Sequence, residues 1–204
     1  MTKQTPNLIL GSSSPYRREL LEKLHLDFIS ISPNIDESPL ENESANALVA
    51  RLAVEKAKAI AKDNPTALII ASDQVAVLGD DAGKHASTIL TKPHTHERAV
   101  EQLTTTSGKQ VTFLTSLCLL NSSNEQYQLE VVPFTVKFLP LSQEQIENYL
   151  KMEKPYDCAG SFKSEGLGIT LFEKMEGEDP NSLIGLPLIK LTTMLRNEGL
   201  DPLS

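Results

Sequence analysis

The chain has 204 residues, of which 40% are hydrophobic and only 5% aromatic, and its formal net charge is −8. That length supports one large domain or two small lobes with ample core, and the aliphatic bias favours an α/β core over an aromatic-rich β-sandwich. The acidic balance argues against a nucleic-acid polymer or an anionic membrane as partner, so any anion site must be a local positive spot suited to a small ligand.

In chain order, Leu8-Ile9-Leu10-Gly11 reads as a buried strand over 7–10. A helix over 15–24 follows, with Ser14 as N-cap and Pro15 as first helical residue. The intervening Ser12-Ser13-Ser14-Pro15-Tyr16-Arg17-Arg18 places two arginines in the first helical turn. There the helix dipole disfavours cations by roughly 0.3–1 kcal/mol each. A bound anion held by hydroxyls, free backbone N–H groups and guanidiniums would offset that cost. The competing reading is a solvated helix start in which Arg18 pairs with Glu22 at i,i+4.

A strand over 27–32 and an acidic, Pro-containing loop over 34–43 precede a long helix over 45–62, where Leu48, Val49, Leu52 and Ala53 hold helical spacing. Strand 67–71 is followed by a polar segment over 79–93 and a helix over 95–105. Two long strands, 110–121 and 126–139, are joined at Asn121-Ser122-Ser123-Asn124, a hairpin signal. Ser142 and Gln145 form a capping box for a helix over 142–152. A glycine-containing loop over 158–168, a strand over 169–174 and a helix over 187–197, ended by Gly199 and Pro202, complete the chain. The hairpin interrupts the βα alternation, which predicts a mixed sheet.

No apolar stretch approaches the about 20 residues that a membrane span needs. Leu8-Ile9-Leu10 is too short for the core of a signal peptide. Cys118 and Cys158 make no disulfide framework and read as packing residues. A reducing cytoplasm is the expected compartment. Three motifs fail on spacing. Gly79 and Gly83-Lys84 stand one residue too close for a phosphate loop, and His85 occupies the Ser/Thr position. Leu171 replaces the third glycine of a dinucleotide pattern begun at Gly166. His94 and His96, two apart, do not share a helix face and read as solvated.

Asp73 closes the apolar run Ala67-Leu68-Ile69-Ile70-Ala71, where α/β folds build their sites, although a turn aspartate would also fit. Asp36-Glu37 adds an acidic pair, and hard oxygen ligands of this kind suit Mg²⁺ or Mn²⁺. Lys56 and Lys92, each unremarkable alone, would join Arg17 and Arg18 in an anion cluster.

The ordered combination of Ser12-x-Ser14-Pro15-x-Arg17-Arg18, Asp36-Glu37, Lys56, Ser72-Asp73-Gln74, Lys92-Pro93 and Ala159-Gly160-Ser161-Phe162-Lys163-Ser164-Glu165-Gly166 closely resembles the Maf-like nucleoside triphosphate pyrophosphatases over nearly the whole chain. The resemblance implies one domain over 1–204, with a mixed central sheet flanked by helices and a cleft between two lobes. It is an architecture similar to that of the inosine triphosphate pyrophosphatases. It implies a divalent-metal-dependent hydrolase that cleaves a nucleoside triphosphate to monophosphate and diphosphate, and it admits a homodimer. Residue by residue, it implies that Ser12, Arg17, Arg18, Lys56 and Lys92 hold the phosphates. Asp73 matches the catalytic proton acceptor, and Glu37, with Asp73, the metal or water position.

Three positions separate the branches. Tyr16, Gln74 and Glu165 resemble the 7-methyl-GTP pyrophosphatase branch, in contrast to the Arg, Thr and Gln of the dTTP/UTP branch. Tyr16 departs from the usual Trp of that branch, and Thr91 from the usual Gly before Lys-Pro. The segment from Gly79 to Thr91 is longer than the family pattern, with Lys84-His85-Ala86-Ser87 as an expected surface excursion. The chemistry runs the same way. A cationic 7-methylguanine stacked on Tyr16 gains about 0.5–2 kcal/mol of cation–π attraction. An ionised Glu165 accepts from the two donors of guanine N1–H and N2–H₂, where uracil offers one. The alternatives are a dTTP/UTP pyrophosphatase and a non-catalytic nucleotide-binding regulator of cell division.

Overall fold

The computed structural model describes residues 7–79 and 88–204. Among them, eight strands form one mixed, open sheet flanked by six helices, as the interrupted βα alternation predicts. The first lobe is parallel: β1 (Asn7–Gly11) lies between β2 (Ile29–Ser30) and β3 (Ala67–Ala71). The hairpin of β6 (Gln110–Asn121) and β7 (Gln126–Phe138) runs the length of the sheet. β7 pairs along one edge of β6, so β3 and β4 (Gln74–Leu78) share the other. They do so in a single antiparallel register, Ala71 opposite Cys118 and Gln74 opposite Thr115, with Ser72 and Asp73 at the seam. The second lobe adds β5 (Thr88–Leu90) beside β4 and β8 (Phe172–Gly177) beside β7.

Strand alternation decides what each face buries. Leu8, Leu10, Leu68, Ile70, Leu117 and Leu119 pack under α1 (Pro15–Glu22) and α6 (Leu188–Asn197). The intervening Ile9, Ile69, Cys118 and Leu120 meet Ala53, Ala57 and Ile60 of α2 (Ala45–Ala61). In the second lobe, α3 (His96–Thr106) and α4 (Gln143–Glu153) cover a core in which Phe162 stands edge-on to Phe113, Phe138 and Phe172 at centroid separations of 4.8–5.8 Å. The capping box at Ser142 and Gln145 is present.

Several elements differ from the sequence reading. The strand expected over 27–32 shrinks to two exposed residues, because only Ile29 and Ser30 reach a partner strand. Within 79–93, Thr88–Leu90 is a strand, and β4 before it was not foreseen. The strand expected over 169–174 begins later: Leu167–Leu171 is a 3-10 turn that buries Leu171, and only Phe172–Gly177 pairs. A short helix, α5 (Pro180–Ile184), fills a stretch to which the sequence reading assigns no element. Lys84-His85-Ala86-Ser87 lies outside the described residues.

Phe138 is fully buried, so Phe138→Ala is predicted to remove roughly 3–5 kcal/mol of stability. Urea unfolding would register this as a lower midpoint at unchanged slope.

Candidate active site

A cleft of about 820 Å³ opens at the seam between the lobes. Ser12, Tyr16, Arg17, Glu37, Lys56, Asp73, Gln74, Lys92 and Glu165 all line it, although they come from six separate segments of the chain.

Its floor is a buried ion cluster. The Lys56 side chain is only 6% exposed, and its Nζ donates to Asp73 Oδ1 at 2.6 Å and lies 2.8 Å from Glu37 Oε1. A buried ammonium without partners is costly, and two carboxylates compensate it. Asp73 is held by its backbone: its N–H donates to Ser116 Oγ at 2.9 Å, and its C=O accepts from the Ser116 N–H at 2.9 Å. Sheet register thus fixes the carboxylate, and α2 delivers the cation.

The expectation that Glu37 and Asp73 face each other as a bare metal pair needs revision, because Lys56 stands between them. Asp36 does not join them; its Oδ1 accepts the Ser38 N–H in a local turn. Among the described residues no group of three or more His, Cys, Asp or Glu could hold a metal. Asp73 Oδ1 and Glu37 Oε1 both face the Lys56 ammonium, so a Mg²⁺ would take the other oxygens of these carboxylates, with the remaining ligands from substrate phosphates and water.

The two arginines separate. Arg17 enters the cleft, and its Nε donates to the Gly185 carbonyl at 2.9 Å. Burial pulls its guanidinium below the ordinary value, and Asp73 and Glu37 oppose that pull. Arg18 does not line the cleft; it is exposed and pairs with Glu22 at 3.1 Å. Consecutive helical residues point about 100° apart, so α1 can aim only one of them inward. The i,i+4 pair of Arg18 with Glu22 is present, and Arg17 is the arginine that reaches the cleft. Ser14 caps the helix, its Oγ accepting the Arg17 N–H. Ser12 is buried, and its Oγ accepts the Ser14 N–H.

The unforeseen α5 orients three site residues through backbone carbonyls. Gly185 O accepts from Arg17 Nε and from Ser72 Oγ, both at 2.9 Å. Ser182 O and Leu183 O accept from Gln74 Nε2 at 2.9 and 3.1 Å. Thr115 Oγ1 spends its own proton on Ser182 O at 2.8 Å and accepts from Gln74 Nε2 at 2.8 Å. Carbonyls only accept, so the Gln74 amide has one sensible orientation, which leaves Oε1 as its remaining hydrogen-bonding group. The Asp179-Pro180 dipeptide, an N-cap followed by a first-turn proline, is the sequence signal that marks α5.

The other end of the cleft surrounds Tyr16. Burial raises its phenol pKa, with Cys158, Glu165 and Asp157 adding to the rise, so these groups lie near the ring. The Cys158 thiol donates to the Tyr16 hydroxyl at 3.8 Å, and burial raises its pKa as well. The loop carrying Glu165 is pinned to α4: Tyr149 Oη accepts the Lys163 N–H at 3.1 Å and Glu153 accepts the Leu167 N–H at 2.8 Å. Gly168 is required there, since a Cβ would lie 2.2 Å from the Lys163 carbonyl oxygen. Lys92 is exposed at the cleft wall on a turn tied to the same loop. Gln102 donates to Thr91 O at 2.9 Å and accepts from Ser161 Oγ at 2.6 Å. His94 is exposed, but His96 is not the solvated residue expected; its two ring nitrogens lie 3.0 Å from Tyr156 Oη and Glu147 Oε2.

The Maf-like protein family profile matches residues 7–198. The chain belongs to the Maf-like family. It is 56% identical to a protein of Alcanivorax borkumensis over 201 residues, 98% of both chains. It is 58% identical to one of Pseudomonas savastanoi over 196 residues, 96% of this chain and 98% of that one. It is 55% identical to one of Colwellia psychrerythraea over 197 residues, 97% of this chain and 95% of the other. All three bear the name 7-methyl-GTP pyrophosphatase.

Lys56→Met removes the cation from a buried cluster, and such broken pairs cost roughly 3–5 kcal/mol. Thermal unfolding is expected to report a lower Tm together with loss of activity. A thiol whose pKa is raised forms thiolate only above its ordinary range, so Cys158 is expected to alkylate with iodoacetamide at pH 8 more slowly than free cysteine. Cys158→Ser is expected to keep activity within about threefold, and a loss beyond about 100-fold would revive the thiol as a nucleophile.

Proposed function

We propose that the cleft hydrolyses 7-methyl-GTP to 7-methyl-GMP and diphosphate. The observation that carries this reading is the near-full-length identity, 53–58%, to proteins named 7-methyl-GTP pyrophosphatase. The geometry supports it, because one cleft is lined both by the cations Arg17, Lys56 and Lys92 and by the Tyr16 ring and the Glu165 carboxylate.

In this reading the triphosphate lies along Ser12, Arg17, Lys56 and Lys92, and the base reaches Tyr16. Arg18 lies outside this set unless the substrate draws it in. Water attacks the α-phosphorus, the α–β anhydride bond breaks, and diphosphate leaves with the bridging oxygen. Asp73 accepts the water proton on the carboxylate oxygen that Lys56 does not engage. Lys56 orients that carboxylate, and Arg17 and Lys92 take up charge on the leaving diphosphate. Glu37 and Asp73 would hold a divalent cation together with phosphate oxygens; such an ion neutralises developing charge on the phosphates.

The cationic base would stack on Tyr16 with about 0.5–2 kcal/mol of cation–π attraction. Glu165, and Gln74 through its Oε1, offer acceptors to a donor-rich base edge. An acidic chain without a polymer-sized basic surface fits a free nucleotide. Among the described residues no helix is long and apolar enough to cross a membrane, and a cytoplasmic location fits that composition.

A nucleotide panel assayed for diphosphate release with and without Mg²⁺ or Mn²⁺ tests the proposal. The expected order is 7-methyl-GTP above UTP and dTTP in kcat/KM, and the reverse order would overturn the substrate assignment. Tight nucleotide binding without diphosphate release would favour the regulator. Asp73→Asn is expected to lower kcat at least 100-fold, whereas full activity would sink the proton-acceptor role. Glu165→Gln is expected to narrow the preference over UTP about tenfold, since glutamine supplies a donor that uracil can use.

A further inference from the structure

Glu37 sits on a segment with neither helix nor strand between Ile31 and Ser44, and its side chain is 56% exposed. Such a segment has little backbone pairing to fix it, yet it brings Glu37 Oε1 to 2.8 Å from Lys56 Nζ. What holds it is Arg51, one and a half turns before Lys56 on α2. Arg51 Nη2 donates to the Ser38 carbonyl, the residue after Glu37, at 3.0 Å. Its Nε and Nη2 grip both oxygens of Glu43 at 2.7 and 2.8 Å, and its Nη1 donates to Glu55 at 3.0 Å. Glu43 in turn accepts the Leu40 N–H at 3.0 Å, so its carboxylate closes the far end of the same loop. Arg51 hydrogen bonds, with the Leu40 N–H, hold the Glu43 carboxyl down to about 2, so the grip persists at any working pH.

We infer that Arg51 is a positioning residue for the reaction, acting through the 38–43 loop to hold Glu37 over the cleft. This rests on the reading above that Glu37 takes part in the reaction. One rigid helix then carries both reference points, since Lys56 meets the Glu37 carboxylate and Arg51 meets the backbone beside it. Lysine cannot replace arginine here, because the grip uses a planar fork with donors in three directions.

A double-mutant cycle tests the inference. Arg51→Ala, Glu37→Gln and the double variant are compared with the parent by kcat and KM on 7-methyl-GTP, and by hydrogen exchange at the backbone amides of 36–43 and of α2. Arg51→Ala is expected to lower kcat about tenfold in the parent and less than twofold in the Glu37→Gln background. Exchange is expected to quicken over 36–43 and to stay unchanged in α2, and Arg51→Lys is expected to behave like Arg51→Ala. An equal loss of kcat in both backgrounds, or unchanged loop exchange, would overturn the inference. Full activity of Glu37→Gln alone would instead overturn the role given to Glu37, with the exchange result still reporting on the loop. Should Arg51→Ala fail to fold, Glu43→Gln enters the same cycle, with the same expected and overturning outcomes.

Discussion

The Lys56 ammonium is the constraint around which the site is arranged. A cation 6% exposed inside the protein must be neutralised where it stands, and Asp73 and Glu37 do so from two different segments. Each of the three needs a separate device to arrive. Lys56 needs the apolar face of α2 to press that helix against the sheet. Asp73 needs the break between β3 and β4, where Ser116 clamps its backbone. Glu37 needs a loop that the helix itself restrains. Losing Lys56 leaves two carboxylates facing each other without a cation, whereas losing either carboxylate leaves a single ion pair.

The rest of the cleft is oriented by backbone carbonyls and not by further charges. The last carbonyls of α5 engage Arg17, Ser72 and Gln74, three side chains from two distant segments. Neutral acceptors of this kind hold a guanidinium without cancelling its charge, so Arg17 keeps its full attraction for an anion. A carboxylate in the same position would have neutralised it. A helix of five residues thus both orients cleft side chains and buries Leu183 in the core of the second lobe.

Much of this was legible in the sequence. The α2 stripe of Leu48 and Leu52 continues at the same spacing to Lys56, so helical periodicity alone aligns a lysine with the buried face. The β6–β7 hairpin and the Ser142 capping box follow from local chemistry and are present. What was not legible is nonlocal. The i,i+4 spacing offers Arg18 to Glu22, but nothing near it says that α1 aims Arg17 into the cleft. Nothing near Glu37 and Asp73 says that a lysine will stand between them. The two-residue β2 and the late start of β8 depend on which partner strands are in reach, which periodicity does not encode. The α5 turn is shorter than a helical period can reveal, and only its Asp179-Pro180 start betrays it.

The seam at Ser72 and Asp73 also bears on how the cleft can move. β3 and β4 belong to different lobes, yet both are stitched in one register to the same uninterrupted strand, and that strand is stitched along its length to β7. A floor built this way has no hinge. The lobes are two ends of one plank, and the Asp73 carboxylate is a nail driven into its middle. What stands above that plank is held otherwise: the loops that carry Glu37, Lys92 and Glu165 take no part in the ladder and are fastened by side chains, Arg51, Gln102 and Glu153.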